Sequence, residues 1–240
     1  MSDHDPVTAG FLVLDKPVGP SSMKAVAVVR RRAGGIKTGH GGTLDPLASG
    51  VLVLGLGRAT RLLEKVVATN KEYLTQIDLS MTTATDDLEG EPAYVEVSSP
   101  PELPTVEAAL QSFTGDIMQR PPAYSAIKVH GRRAYALARR DQPVDIPPRQ
   151  VRVDCLRLVD YTWPQVTVSI ACGKGFYVRS LARDLGASLG LGGCCVSIRR
   201  TAVGPFSLND AVTLDDVPDP LIAAHVIPVE EGLSRLGSQP

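Results

Sequence analysis

The stretch Gly39–Gly50, G-H-G-G-T-L-D-P-L-A-S-G, carries one carboxylate, Asp45, behind a run of glycines and directly before Pro46. Glycines at 39, 41 and 42 open backbone conformations closed to other residues, and the proline restricts Asp45 to extended backbone. Such a loop presents a single carboxylate, in fixed geometry, to something bulky. Chemistries that need more find no support elsewhere in the chain. A dinucleotide fingerprint after Gly39 and Gly41 requires glycine where Leu44 stands, and a second attempt from Gly55 and Gly57 fails at Thr60. There is no G-x-x-x-x-G-K-[ST] run for a nucleotide triphosphate and no G-x-S-x-G for a nucleophilic serine. His4, His40, His130 and His225 lie far apart, outside any H-x-E or H-E-x-x-H motif. A glycosidase pair of acid and base is missing, because the loop supplies only Asp45. What remains is a reaction without metal or cofactor, built on one aspartate.

The elements that hold this loop follow from pattern. Gly10 to Asp15 reads as a strand, the turn Lys16-Pro17-Val18-Gly19-Pro20 follows, and a helix opens at Ser21 or Ser22, either of which can cap its free amides. Gly34 and Gly35 end that helix. Beyond the loop, the unbroken apolar run Val51 to Leu56 predicts a strand buried on both faces. Ala59 to Val67 reads as a short helix, Tyr73 to Leu79 as a strand, Asp86 to Gly90 as a turn, and Thr105 to Phe113 as a helix. Arg132 to Arg140 has helical spacing between Pro121-Pro122 and Pro147-Pro148. Strands at Val151 to Val159 and Gln165 to Ala171, a helix from Tyr177 to Leu189 and a strand near Val196 to Val203 complete the pattern, and the chain after Asn209 reads as acidic and irregular. Strands and helices mix without strict alternation, which predicts an α+β sheet with helices packed on it, in one domain over residues 1–240.

Composition sets the outer bounds. The chain has 240 residues, 43% hydrophobic and 21% charged, the values of a folded globular protein and not of a disordered one. The run Phe11 to Leu14 is too short for a signal peptide or a membrane span, so cytoplasmic residence is expected. Cys155, Cys172, Cys194 and Cys195 form no C-x-x-C pair and read as reduced, buried thiols. The net charge of −1 conceals segregation. Between Glu72 and Met118 there are ten acids and no Lys or Arg, whereas Gln119 to Arg152 carries eight Arg and Lys against Asp141 and Asp145. Further basic residues cluster at Lys24, Arg30, Arg31, Arg32 and Lys37, and at Lys174, Arg179, Arg183, Arg199 and Arg200. Brought together, these would make the one-sided positive surface that a nucleic-acid backbone requires.

The Asp45 loop resembles the catalytic motif of the TruB/dyskerin family of pseudouridine synthases. Further blocks resemble that family in the same order: L-D-K-P-V-G-P-S-S (14–22), K-E-Y (71–73), Q-R-P-P-A-Y-S-A-I-K (119–128), G-K-G-F-Y-V-R-S-L-A-R-D-L-G (173–186) and I-R-R-T (198–201). The resemblance spans nearly the whole chain and is closest to the bacterial tRNA-modifying branch. It implies the pseudouridine synthase fold, with a central mixed, largely antiparallel sheet and flanking helices. It implies an isomerase that converts uridine at position 55, in the T-loop of tRNA, to pseudouridine without a cofactor. The N1 glycosidic bond breaks, the base rotates, and the bond is remade through C5.

By the same resemblance Asp45 is the essential catalyst, by attack on ribose C1′, attack on the base, or abstraction of a ribose proton. Arg179 pairs with Asp45, Tyr73 stacks on the flipped base, and Tyr177 is a candidate for removing the C5 proton. His40 holds the opened RNA loop and Ile198 walls the pocket, while Lys16, Lys128, Arg132 and Arg133 contact the RNA. The basic segment at about 119–150 resembles the family's RNA-gripping insertion. The implied partner is the tRNA T-arm, met by a monomer without membrane or protein partner and without a separate C-terminal RNA-binding domain. A tRNA-folding chaperone using the same grip is the alternative or additional role, and a guide-RNA-dependent synthase of the dyskerin type is a weaker reading. Two positions depart from the family pattern. Gly41 replaces a common threonine, which predicts a more permissive loop, and Ala84 replaces a common acid, which predicts altered polar contacts in the turn around Asp86.

Overall fold

A computed structural model of the chain describes residues 5–125, 128–129, 132–133 and 146–238. In chain order its elements are β1 (Gly10–Lys16), α1 (Ser22–Arg32), β2 (Thr38–His40), β3 (Ala48–Leu56), a 3₁₀ turn (Gly57–Leu62) leading into α2 (Leu63–Ala68), and β4 (Lys71–Asp78). Next come β5 (Met81–Thr82), β6 (Ala93–Tyr94), α3 (Leu103–Gln111), β7 (Gly115–Gln119), β8 (Lys128–Val129) and β9 (Arg132–Arg133). The rest are β10 (Arg149–Thr162), β11 (Gln165–Cys172), α4 (Val178–Ser188), β12 (Cys194–Val203), β13 (Phe206–Ser207), β14 (Val212–Thr213) and α5 (Val229–Gly237). The class is α+β, with mixed pairing that is mostly antiparallel: β1 pairs β14 in parallel, while β1–β3, β2–β3, β10–β11 and β7–β10 run antiparallel.

The chain groups into two compact units, residues 1–73 with 199–240 and residues 74–198. Both crossings fall inside strands, β4 and β12, which is why no linker composition marks them. In the first unit the strand order is β14-β1-β3-β12, with β2 added to β3 and β13 to β12. Its core joins Phe11 and Val13 of β1, Val51 and Val53 of β3, Ala59, Val66, Val203, Phe206 and Val229. The register sets Phe11 opposite Gly55, and the Phe11 ring lies 6.0 Å from that of Phe206. In the second unit the order is β12-β4-β11-β10-β7, and α3 packs against both β10 and α4. Val153, Leu156, Val166, Val168 and Ile170 are buried along its long β10–β11 hairpin.

Most elements lie where periodicity places them, with two corrections. The segment after Asn209 is not irregular: α5 occupies Val229–Gly237, with Val229 buried and Leu233 and Leu236 packed against the first unit's core. Gly232 conceals that helix by reading as a breaker, but it is there because a Cβ would run into the Phe11 ring. The helical spacing read from Arg132 begins instead in a strand, since Lys128 pairs Arg133 and Val129 pairs Arg132. Residues 134–140 of that expected helix lie outside the described residues. Among the described residues no helix is long and apolar enough to cross a membrane.

Candidate active site

The first unit positions the Asp45 loop by fastening it at several points. Ser21 caps α1, its Oγ accepting from Lys24 N at 3.2 Å, which frees Ser22 for another task. The buried Ser22 Oγ accepts from Leu44 N and donates to Leu44 O, both at 2.8 Å. That reciprocal clamp fixes the residue preceding Asp45. From the Lys16–Pro20 turn, Gly19 N donates to Pro46 O at 2.8 Å, fixing the residue that follows. Gly41 N reaches Val53 O at 2.8 Å, and Ala48 N closes the loop on Asp45 O at 3.0 Å.

Arg200, on β12, completes the hold. Its guanidinium is buried and donates to three carbonyls that bracket the loop: Nε to Val51 O at 2.7 Å, Nη2 to Gly42 O at 3.1 Å and Nη1 to Thr43 O at 3.4 Å. A forked, permanently charged donor suits several acceptors at different angles, as an ammonium does not. Glycine is required at two places here. Gly42 sits at φ 122°, and a Cβ on Gly50 would enter the Arg200 backbone. Gly41 does not give the expected permissive loop. Its backbone is ordinary, but a Cβ would stand 2.6 Å from Val66 Cγ1 of α2, so it serves close approach.

Lys16, His40 and Asp45 gather about this loop. Asp45 itself is partly buried. The resemblance puts Lys16 on the RNA, but its side chain is fully enclosed, and Nζ donates to Pro17 O at 2.8 Å and Pro20 O at 2.9 Å. Lys16 therefore shapes the turn that fixes Pro46. Burial pushes its ammonium down to about 8, aided by the Arg200 charge and opposed by the negative charge of Asp45. Burial, reinforced by Arg200, also lowers the pKa of His40, and its buried Nδ1 has no hydrogen-bond partner among the described residues. His40 is thus a neutral imidazole at pH 7. Tyr73, half-buried at the start of β4, follows a fixed lysine: Lys71 Nζ donates to the carbonyls of Val66, Val67 and Thr69 and caps the C-terminal end of α2.

The second unit has a comparable clamp around α4. Tyr177 is the residue before the helix, and the buried Gln119 holds its backbone from both sides: Tyr177 N donates to Oε1 at 2.8 Å, and Nε2 donates to Tyr177 O at 3.0 Å. Arg179, the second residue of the helix, is buried. It donates to Thr85 O at 3.0 Å and Tyr124 O at 2.9 Å and pairs with Asp87 Oδ2 at 3.3 Å. Asp87 is in turn held by Thr85 Oγ1 at 2.6 Å and Glu89 N at 3.0 Å, while Thr83 Oγ1 donates to Asp87 O at 2.7 Å. Substitution of Ala84 leaves these contacts in place, because the two flanking threonines make them. Ile198 is buried at the end of this unit's part of β12.

Asp45, His40, Lys16 and Tyr73 belong to the first unit, and Tyr177, Arg179 and Ile198 to the second. The side chains of Lys128, Arg132 and Arg133 lie outside the described residues. Sequence reasoning assigned no role to Ser22 beyond capping and none to Gln119 or Asp87, and it counted Arg200 among the cations of a nucleic-acid surface, whereas the structure buries it behind the Asp45 loop. The alternation of β12, which puts Arg200 on the same face as Cys194 and Ile198, was the available signal for its burial. Among the described residues no group of three or more His, Cys, Asp or Glu could hold a metal ion.

Comparison with known proteins bears on these two clamps. Residues 30–178 match the family model described as TruB family pseudouridylate synthase (N terminal domain), and residues 179–235 match that of the tRNA pseudouridylate synthase B C-terminal domain. The chain is 43% identical over 237 residues to tRNA pseudouridine synthase B of Corynebacterium efficiens, covering 97% of this chain and 79% of that protein. It is 45% identical over 237 residues to the protein of the same name from Dinoroseobacter shibae, covering 97% of this chain and 78% of that one. Among solved structures, a chain of a Cbf5-Nop10-Gar1 complex superposes with a TM-score of 0.75 at 26% identity over 96% of this chain, which spans 63% of that one.

Proposed function

The chain belongs to the TruB family of pseudouridylate synthases and isomerises uridine to pseudouridine in tRNA, and we propose that its target is the T-loop uridine at position 55, with Asp45 as the catalyst. The observation that carries the assignment to Asp45 is the construction of its loop. One carboxylate is fixed on both sides, at Leu44 by Ser22 and at Pro46 by Gly19, with two buried cations, Lys16 and Arg200, in the same unit.

A uridine inside a folded arm must leave its stack before a protein carboxylate can reach the sugar or base, so the enzyme flips it into the pocket. In this reading Tyr73 stacks on the extruded base, a contact worth roughly 1–3 kcal/mol. The neutral His40 supports the opened RNA loop, and Ile198 walls the base. Arg179 stands as the cation for Asp45 and Tyr177 as the acceptor of the C5 proton. The bond from C1′ to N1 breaks, that from C1′ to C5 forms, and the C5 proton leaves as N1 gains one, so atoms and electrons balance with no co-reactant. Phosphate contacts made by Lys128, Arg132 and Arg133 position the arm without reading its sequence. The same reading has the chain act as a monomer in the cytoplasm, without a protein partner. Release of tritium from tRNA labelled at uridine C5 tests the assignment: the wild type releases it, whereas Asp45→Asn does not. Full release by that variant overturns the role of Asp45.

A further inference from the structure

Several cations of the first unit are paired with acids, while others, Lys37, Arg61 and Lys65 among them, are exposed and form no ion pair among the described residues. Arg58 pairs with Glu230 at 2.7 Å, Arg199 with Asp15 at 2.8 Å, and Arg235 with Asp210 at 2.9 Å and with Glu231 at 2.6 Å. Lys24, Arg30 and Arg31 are exposed on α1 and form no ion pair among the described residues. The helix S-M-K-A-V-A-V-V-R-R-R contains no acid, and its buried side, Ser22, Ala25, Val26 and Val29, lies opposite Lys24 and Arg31, with the exposed Arg30 on the flank. Lys24 and Arg31 are two turns apart, about 10 Å along one outer face.

Basic residues in the last turn of a helix are explained by its dipole. That accounts for Arg30 and Arg31 but not for Lys24, which sits in the first turn, where the dipole disfavours a cation. The position of α1 suggests another use. Its first turn carries Ser22, which clamps Leu44 beside Asp45, and the helix also packs against β2, which leads into His40. Thus α1 borders the Asp45 loop at both of its ends. The exposed Met23, 60% accessible, adds apolar surface on the flank beside Arg30.

We propose that the outer face of α1, through Lys24, Arg30 and Arg31, binds the phosphate backbone of the RNA substrate beside the Asp45 loop. This rests on the chain being an RNA isomerase, and it adds a grip separate from the 119–150 segment. Acids neutralise Arg58, Arg199 and Arg235, whereas the charge on α1, which borders the Asp45 loop, is left for an anion from outside. A phosphate strand supplies such an anion in series, and each contact releases condensed counterions.

The test is equilibrium filter binding of an unmodified tRNA transcript over a range of KCl concentrations, which does not depend on catalysis. For K24Q/R30Q/R31Q, affinity falls at least about tenfold at moderate salt, and the slope of log affinity against log salt becomes shallower by about 2 to 3. The single variants K24Q and R31Q each lose close to one unit of slope, which keeps the test open if the triple variant folds poorly. R58Q, whose charge Glu230 already neutralises, leaves the slope where it was. An affinity within twofold of wild type and an unchanged slope in the α1 variants would overturn the proposal. Binding that shows these changes, without tritium release by the wild type, would instead count against the isomerase reading and leave the phosphate-binding face standing.

Discussion

Replacing Arg200 by lysine keeps a positive charge behind the Asp45 loop but removes the fork that holds it. The guanidinium reaches Val51 O with Nε, and Gly42 O and Thr43 O with its two terminal nitrogens. These acceptors lie on two segments, one ending two residues before Asp45 and one beginning six after it. A single ammonium at the end of a straight chain satisfies one segment and leaves the other buried without its donor. A hydrogen bond to a charged group contributes about 1.5–3 kcal/mol, so losing the contacts to one segment destabilises by about 3 kcal/mol. For a chain of this length that lowers Tm by about 6–12 °C. Displacing Asp45 by about 1 Å costs on the order of 10²-fold in rate. The assay is single-turnover tritium release with saturating enzyme at 20 °C, where the variant remains folded, alongside thermal unfolding. R200K with a Tm within 2 °C of wild type and a rate within twofold would refute the reasoning. A lowered Tm with an unchanged rate would show that Arg200 stabilises the unit without positioning the carboxylate.

Two further outcomes follow from neighbours of the same loop. Lys16 has its ammonium pushed down to about 8 in the folded protein, from 10.5 when unfolded. Between those values the unfolded chain binds the extra proton, so stability rises with pH as burial stops opposing a charge. Urea unfolding of the wild type and Lys16→Met, compared from pH 7 to 10.5, should show the wild type gaining on the order of 3 kcal/mol over the variant across that window. Parallel curves would exclude a buried lysine titrating there. Gly41→Thr, which restores the side chain common among relatives, should destabilise by roughly 1–3 kcal/mol because its Cβ meets Val66. Shortening that neighbour in G41T/V66A should recover part of the loss. Strictly additive effects in the double-mutant cycle would mean that the two positions do not compete for space.

Period and capping chemistry made the frame of the first unit legible. The apolar run Val51 to Leu56 is buried throughout, and Ser21 caps the helix that pattern placed there. Elements whose logic is tertiary were not legible. Helix α5 has a glycine at the position where it crosses a phenylalanine, and no local rule predicts that contact. Strand β7 is short and lies beside β10, which follows it by some thirty residues of sequence, so its pairing leaves no local trace. The division into two units was equally hidden, since both crossings run through strand residues rather than through a linker.

The motif blocks had a plainer meaning than their spacing suggested. Few of their residues are candidates for chemistry, and most hold those few in place. K-P-V-G-P-S-S supplies Lys16, Gly19 and Ser22, and I-R-R-T supplies Arg200, four residues that act on the ten-residue stretch from Gly42 to Val51. In the second unit Gln119 holds Tyr177, and Asp87 with the carbonyls of Thr85 and Tyr124 holds Arg179. Removing one partner from a buried ion pair such as Asp87–Arg179 costs about 3–5 kcal/mol, because the other charge is stranded. A sequence shows such partners as separate conserved-looking words, since hydrogen bonds between residues twenty-two or ninety-four positions apart have no period. Each clamp therefore draws on side chains from two blocks, and the residues that hold a segment in place outnumber those that are candidates for chemistry.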